Sequence, residues 1–304
     1  MRTRTIGSLT VSEIGLGCNN FGMTIDEART QEVVAAALDA GITFFDTADI
    51  YGGTKSEIFL GKALGARRSR AIVATKFGLP VDERRQGAHP DYVRRAVDDS
   101  LKRLNTDVID LYQLHKPDPT VPIADTLGAL DDLVRAGKVR KIGCSNFSVA
   151  QLREARNAVR PGGSRFVSVQ NEYSLIKREA EADVLPECDR TGLAFLPYFP
   201  LASGLLTGKY RKGTPAPEGT RLRLSWASKM LTDQNLTVVE RLTGIAERHG
   251  HTLLELAVSW LLRWRSVASV IAGATRPEQV RANAAASGRS LDDETIAEIT
   301  AVFS

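Results

Sequence analysis

Polar residues of four chemical types interrupt successive apolar runs in this 304-residue sequence, and together they define a possible proton-transfer group. The run Ile42 to Phe45 ends abruptly in Asp46, and Thr47, Ala48 and Asp49 lead on to Tyr51 and two glycines. Ala71 to Thr75 ends in Lys76, and Val108 to Leu114 ends in His115. A phenol titrates near ~10, too high for efficient proton donation at neutral pH unless a neighbouring cation stabilises its phenolate. Lys76 is such a cation, Asp46 would hold it in place, and His115 would orient a substrate oxygen through a hydrogen bond. The group suits protonation of a carbonyl oxygen. Taken singly, each residue has a plainer reading: a loop cap for Asp46, packing for Tyr51, a solvated strand end for Lys76, a satisfied rim histidine for His115. Their succession at consecutive strand ends carries the chemistry.

The elements that must bring them together are legible as an alternation. Eight strand-length runs occur at Ile14 to Leu16, Ile42 to Phe45, Ala71 to Thr75, Val108 to Leu114, Val139 to Cys144, Phe166 to Val169, Leu193 to Leu196 and Val267 to Ile271. Amphipathic helical stretches separate most of them, which calls for a parallel sheet with right-handed crossovers. Eight such units predict a single (β/α)8 TIM barrel over 1–304, with an N-terminal β-hairpin around Gly7-Ser8 and extra helices. Chemistry then belongs at the C-terminal strand ends, where Ser145-Asn146, Gln170-Asn171 and Tyr198 also fall. Thr24 and Glu27 match a capping box opening the first helix, and Asp292 to Val302 reads as a terminal helix. The segment Leu201 to Gln234, rich in Gly, Pro, Lys and Arg, breaks the spacing and reads as a binding loop or lid. Phe21, Met23, Ile50 and Phe77 suggest apolar pocket walls.

Composition narrows the partners. There are 40 Lys plus Arg against 36 Asp plus Glu, scattered rather than gathered, so nucleic acid is not the expected partner. The three cysteines Cys18, Cys144 and Cys188 have no paired spacing, which predicts reduced thiols and no disulfide or zinc framework. No apolar stretch reaches the ~18 residues of a membrane span, and the N-terminus lacks a signal-peptide core. The reading is a cytoplasmic protein without a metal or a membrane partner, a monomer or weak homo-oligomer.

The segments FFDTADIYG, ATKFG, LYQLHKPD, GCSNFS, VQNEYSL, PYFPLASGLLTGKY and IAGATRPEQVRAN resemble those of the aldo-keto reductase superfamily from about Ile14 to Asn283. The resemblance implies a (β/α)8 barrel that binds NADPH/NADP+ without a Rossmann domain and reduces aldehydes or ketones, small-molecule carbonyl substrates, by hydride transfer. It implies a catalytic tetrad of Asp46, Tyr51, Lys76 and His115, with Tyr51 as general acid. By the same segments Ser145, Asn146 and Gln170 fall where the nicotinamide carboxamide is bonded, and Tyr198 where a ring stacks on the nicotinamide. Leu201, Ser203, Gly204 and Leu206 fall where the pyrophosphate is wrapped, with Lys209 adding charge; Gly17 and Cys18 fall near the nicotinamide end, beside Asp46. Gly273, Thr275, Arg276, Gln279 and Asn283 fall on the adenosine end. There Thr275 and Glu278 form a second capping-box pattern, Pro277 opens a helix, Arg276 would grip a 2′-phosphate, and Arg281 would face solvent. The chain departs from the family at Phe199, Ala272 and Ala282, where a small or hydroxyl residue, a proline and a glutamate are usual. A second implied reading is an NADPH-loaded binding or regulatory subunit with little turnover; with no extension before the barrel, the expectation is the free enzyme.

Overall fold

The structure, a computed structural model, describes residues 1–218, 222 and 228–303. Strands β1 (Thr3–Ile6) and β2 (Leu9–Ser12) form the expected antiparallel hairpin. Eight parallel strands follow: β3 (Ile14–Gly17), β4 (Phe44–Asp46), β5 (Ile72–Phe77), β6 (Ile109–Leu114), β7 (Val139–Ser145), β8 (Phe166–Glu172), β9 (Ala194–Tyr198) and β10 (Val270–Gly273). They lie in sequence order with β10 beside β3, and a parallel bridge between Phe195 and Val267 draws β9 toward the segment leading into β10. The result is a nearly closed (β/α)8 barrel.

Helices α1 (Glu27–Asp39), α2 (Lys55–Leu64), α3 (Pro90–Leu104), α4 (Ile123–Arg135), α5 (Val149–Asn157) and α6 (Val184–Thr191) are the crossovers. Helices α7 (Asp233–Arg248) and α8 (Leu253–Leu262) precede β10, and α9 (Pro277–Ala285) and α10 (Asp293–Ala301) follow it. The main apolar core lies between strands and helices, with Val33, Leu60, Val93, Leu130 and Leu256 among its buried members.

Inside the barrel is a smaller cluster of Phe44, Ala74, Leu111, Ala194, Leu196, Ala268 and Ile271, joined by Ile6, Leu9 and Val11 of the hairpin. The hairpin plugs the end opposite the strand C-termini. Its Arg4 donates to the carbonyls of Leu262, at the end of α8, and of Trp264 and Val267 beyond it, at 2.6–3.0 Å. Because strand side chains alternate, the next inward positions beyond Phe44, Ala74, Leu111 and Leu196 are Asp46, Lys76, Gln113 and Tyr198. The inner layer is apolar below and polar at the C-terminal ends of the strands.

Several boundaries differ from expectation. Asp26 caps α1, its side chain accepting from Arg29 N; Thr24 and Ile25 instead close a turn on the Asn20 carbonyl, which leaves Thr24 outside the helix. The last strand begins at Val270, because Val267 pairs with Phe195 before the chain reaches β3. Within the 201–234 segment, Ala202–Thr207 forms short 3₁₀ turns broken by a kink at Ser203 and Gly204, while 219–221 and 223–227 lie outside the described residues.

Candidate active site

Asp46, at the tip of β4, is 3% exposed, and Lys76, on β5, is fully buried. Lys76 Nζ donates to Asp46 Oδ2 at 2.6 Å and to the Thr47 carbonyl at 2.8 Å. An unpaired ammonium here would meet a large desolvation cost, so the carboxylate is what keeps it charged. Burial alone would lower the Lys76 value, but Asp46 and Tyr51 outweigh it and hold the ammonium above its ordinary range.

Tyr51 lies on the loop after β4, with its ring centroid 5.1 Å from Lys76 Nζ. The balance on the phenol differs from expectation. Burial pushes its titration above the ordinary value, Lys76 pulls it down, and Asp46 pushes it up again, for a net rise. The phenol is therefore a protonated donor at neutral pH. His115 packs edge-on to Tyr51, ring centroids 5.8 Å apart at 80°. Burial, then the charges of Lys76 and Lys116, hold its imidazolium down to about 2, so the ring is neutral. Its Nδ1 is buried without a hydrogen-bond partner among the described residues.

Next around the rim, Ser145 Oγ donates to the Gln170 carbonyl at 2.7 Å, and Asn146 Nδ2 donates to the His115 carbonyl at 2.9 Å. Asn146 adopts φ 62°, a left-handed conformation that Asn tolerates better than most residues, and its Oδ1 accepts from Tyr198 Oη at 2.8 Å. Gln170 Nε2 donates to Asp46 Oδ1 at 2.9 Å, so this side chain is partly committed to the carboxylate. Gly17 pairs in register with Asp46 on one side and Gly273 on the other, placing all three at one rim. Cys18 joins them through its backbone N–H, 2.8 Å from the Asp46 carbonyl. Its thiol is fully buried and pushed well up, first by burial and then by Asp46, so it packs.

Beyond Tyr198, the segment Phe199–Lys209 turns tightly: Phe199, Ala202 and Ser203 all have φ between 48° and 57°, and Gly204 has φ 96°. Three non-glycine residues in that region mark backbone strain held by the surrounding fold. A side chain at Gly204 would meet Lys209 Nζ at 3.3 Å, so the missing Cβ lets the ammonium lie against the backbone. Leu201 and Leu206 are buried in the core, which leaves only their backbone for a ligand.

At the far end, Arg276 is exposed and is the N-cap of α9 in extended conformation, without a side-chain cap bond. The expected Thr275/Glu278 box is absent: Thr275 lies one residue too early, and its N–H and hydroxyl both donate to Gln279 Oε1, at 2.7 and 3.1 Å. Asn283 is 4% exposed, and Arg281 faces solvent beside Glu278. Of the expected pocket walls, Phe21 and Phe77 are fully buried, Phe77 stacked on Tyr112, whereas Met23 is exposed. The two phenylalanines belong to the core.

Two features escaped sequence reasoning. Gln113 Nε2 reaches Asp46 Oδ1 at 3.2 Å. Behind the Tyr51 loop lies a buried cluster in which Glu57 accepts from Thr75 and Arg103, both at 2.6 Å, and Asp49 Oδ2 accepts from Tyr92 Oη at 3.4 Å. A polar residue two places before His115, near the C-terminal end of the strand, was the available signal for Gln113; Asp49 had none.

A barrel with a buried Lys–Asp pair beside a phenol and a neutral imidazole gathers groups suited to proton transfer at one rim. Residues 13–303 match the aldo/keto reductase family. The aldo-keto reductase YhdN of Bacillus subtilis (strain 168) is 38% identical over 303 residues, covering 96% of this chain and 90% of that one. A probable aldo-keto reductase 1 of Glycine max is 36% identical over 299 residues, covering 95% and 84%. A solved glycerol dehydrogenase from Gluconobacter oxydans superposes with a TM-score of 0.86 at 30% identity, over 99% of this chain and 94% of that one. The chain belongs to the aldo/keto reductase family, whose members act on carbonyl and alcohol groups. Among the described residues no helix is long and apolar enough to cross a membrane, and no three His, Cys, Asp or Glu side chains are grouped to hold a metal ion.

Proposed function

We propose that this protein is an NADPH-dependent reductase of aldehydes or ketones, with Tyr51 as the general acid. The observation that carries the reading is the fully buried Lys76 ammonium, 2.6 Å from Asp46 and 5.1 Å from the centre of the Tyr51 ring. A buried charged pair is costly to maintain for stability alone, and its position beside a protonated phenol suits proton delivery.

When bound, the dihydronicotinamide supplies a hydride to the carbonyl carbon. Charge then builds on the carbonyl oxygen, and Tyr51 donates its proton there; the phenolate left behind is stabilised by Lys76. A phenol held above its ordinary value is a poor acid at rest, but an alkoxide is a far stronger base. Neutral His115 orients the substrate oxygen without adding a second cation beside Lys76.

The residues present fit the cofactor. Ser145, Asn146 and Gln170 bring hydroxyl and amide groups suited to a carboxamide, with the half-buried Tyr198 ring beside them. The cradle at Gly204, with Lys209 folded against it, suits a pyrophosphate, contacted through the backbone at Leu201, Ser203 and Leu206. Exposed Arg276 at the start of α9 suits a 2′-phosphate, with Thr275 beside it, and Gln279 and Asn283 line the adenosine side. An NADPH-oxidation screen across aldehydes, ketones and sugars, read against Tyr51→Phe, tests the assignment. Turnover on none of them would refute it.

A further inference from the structure

The Asp46 carboxylate is held from both sides. Lys76 takes Oδ2 at 2.6 Å, while Oδ1 accepts two amide N–H groups, Gln170 Nε2 at 2.9 Å and Gln113 Nε2 at 3.2 Å. Gln113 is fully buried on β6, one inward position above Leu111 of the inner core, and it is paired in register with Lys76. Its donor side faces the carboxylate, and its Oε1 has no hydrogen-bond partner among the described residues.

The neighbouring strand is shaped around it. Gly143 on β7 lies in register with Gln113, and a Cβ at Gly143 would come within 3.3 Å of Gln113 Cγ and 2.4 Å of Ser168 Oγ. Residue 143 therefore has to lack a side chain for Gln113 and Ser168 to occupy the barrel interior together. A buried amide with an unpaired oxygen costs stability that an apolar residue would not. What offsets that cost is the charge-assisted bond to Asp46.

From this geometry we infer that Gln113 is a positioning residue: its amide N–H fixes the Asp46 carboxylate in its Lys76-facing orientation and so holds the ammonium in place beside Tyr51. The catalytic consequence rests on the function proposed above; the contact itself does not. Without the amide donor, Oδ1 keeps one partner, Gln170, and the carboxylate that grips the buried ammonium is less firmly positioned.

The test uses Gln113→Leu and Gln113→Glu in the full chain. A protonated carboxyl replaces the amide as donor to Asp46, whereas an ionised one repels it, and beside an existing carboxylate the introduced group holds its proton to unusually high pH. Gln113→Leu should lower kcat for NADPH-dependent carbonyl reduction roughly ten- to hundredfold at every pH, the loss of one hydrogen bond to a charged group, with the KM for NADPH little changed. Gln113→Glu should approach wild-type kcat at acidic pH and lose it as pH rises. Wild-type rates in Gln113→Leu, or a pH-independent loss in Gln113→Glu, would overturn the role.

A second readout needs no turnover. Thermal unfolding of Gln113→Glu should show a deficit against wild type that grows with pH and shrinks in the Asp46→Asn, Lys76→Met background, which removes the ion pair as a unit. A deficit that stays constant with pH removes the contact with Asp46, even if that background fails to fold. A wild-type protein inactive on every carbonyl would instead refute the proposed function and leave the unfolding result to decide the contact.

Discussion

Replacing Asp49 by Asn should stabilise the protein at alkaline pH and do little at acidic pH. Asp49 sits two residues before Tyr51, and its N–H donates to the Lys76 carbonyl at 3.1 Å. Its side chain is 2% exposed, with Oδ1 unpartnered among the described residues and Oδ2 3.4 Å from Tyr92 Oη. Burial, then the charge of Glu57, pushes its carboxyl from 3.8 up to about 7, against a smaller lowering by Arg103. The other groups around it do not offset this: Tyr92 and Tyr112 are neutral, and Arg103 is engaged by Glu57 at 2.6 Å. A carboxyl raised on folding binds its proton more tightly in the native state. The stability it contributes is full below about 3.8 and is lost as pH rises through about 7. Each tenfold change in proton affinity is worth about 1.4 kcal/mol, so ionisation at pH 8 costs about 4 kcal/mol, of which roughly 3 kcal/mol develops between pH 5 and pH 8. Asparagine keeps an acceptor for Tyr92 and does not titrate. Unfolding midpoints of wild type and Asp49→Asn, followed from pH 5 to pH 8, should diverge by several degrees in favour of the variant, all other titrations being common to both. Parallel curves would show that Asp49 does not titrate in this range, and that the cluster is solvated more than its geometry indicates.

Other substitutions probe the site more directly. Tyr51→Phe should retain NADPH affinity, measured by fluorescence titration, while kcat falls by at least ~100-fold, the usual size of lost general-acid catalysis. Lys76→Met should destabilise the fold by about 3–5 kcal/mol in denaturant unfolding, because it leaves Asp46 buried without its cation. Arg276→Ala should weaken NADPH by roughly 1–3 kcal/mol and leave NADH nearly unchanged, whereas Arg281→Ala, at a solvent-facing position, should affect neither. Because burial holds His115 at about 2, the pH profile of reduction should contain no inflection near 6.5 that vanishes in His115→Asn.

The rim positions legible from sequence, Tyr51 on its loop apart, share one property: each is a polar residue ending an apolar run. That pattern is visible at Asp46, Lys76 and His115 because β4, β5 and β6 are buried on both faces, so a polar residue at the C-terminal end of the run stands out and marks the rim. The same reasoning located Ser145, Gln170 and Tyr198. It misread Phe21 and Phe77, since an aromatic residue near the rim belongs equally well to a pocket wall or to the outer core, and nothing local separates the two. It also misplaced the first residue of α1, because Thr24 and Asp26 both offer capping oxygens and the choice is made by the turn around the Asn20 carbonyl.

What sequence did not show depends on contacts between distant strands and helices. Asp49 meets Tyr92 and lies near Glu57 and Arg103, which come from α2 and α3, and its raised titration is a property of that enclosure. Gln113 meets Asp46 across an intervening strand, 67 residues away in sequence. Its polarity was visible, but strand period alone leaves open which face is the barrel interior when both faces are buried. The glycine opposite it supplies the missing constraint. Gly143 lacks the Cβ that would crowd Gln113, so a glutamine on one strand and a glycine in register on the next form one packing unit. Gly143→Ala should therefore disturb Asp46 without touching it. The added methyl meets Ser168 Oγ at 2.4 Å and Gln113 Cγ at 3.3 Å, so the crowded side chains must shift. The variant should unfold at lower denaturant by about 1–3 kcal/mol, and its kcat should fall with that of Gln113→Leu. The two substitutions combined should cost less than their sum, because both act on one contact. Additive losses would show that Gly143 serves packing against Ser168 alone.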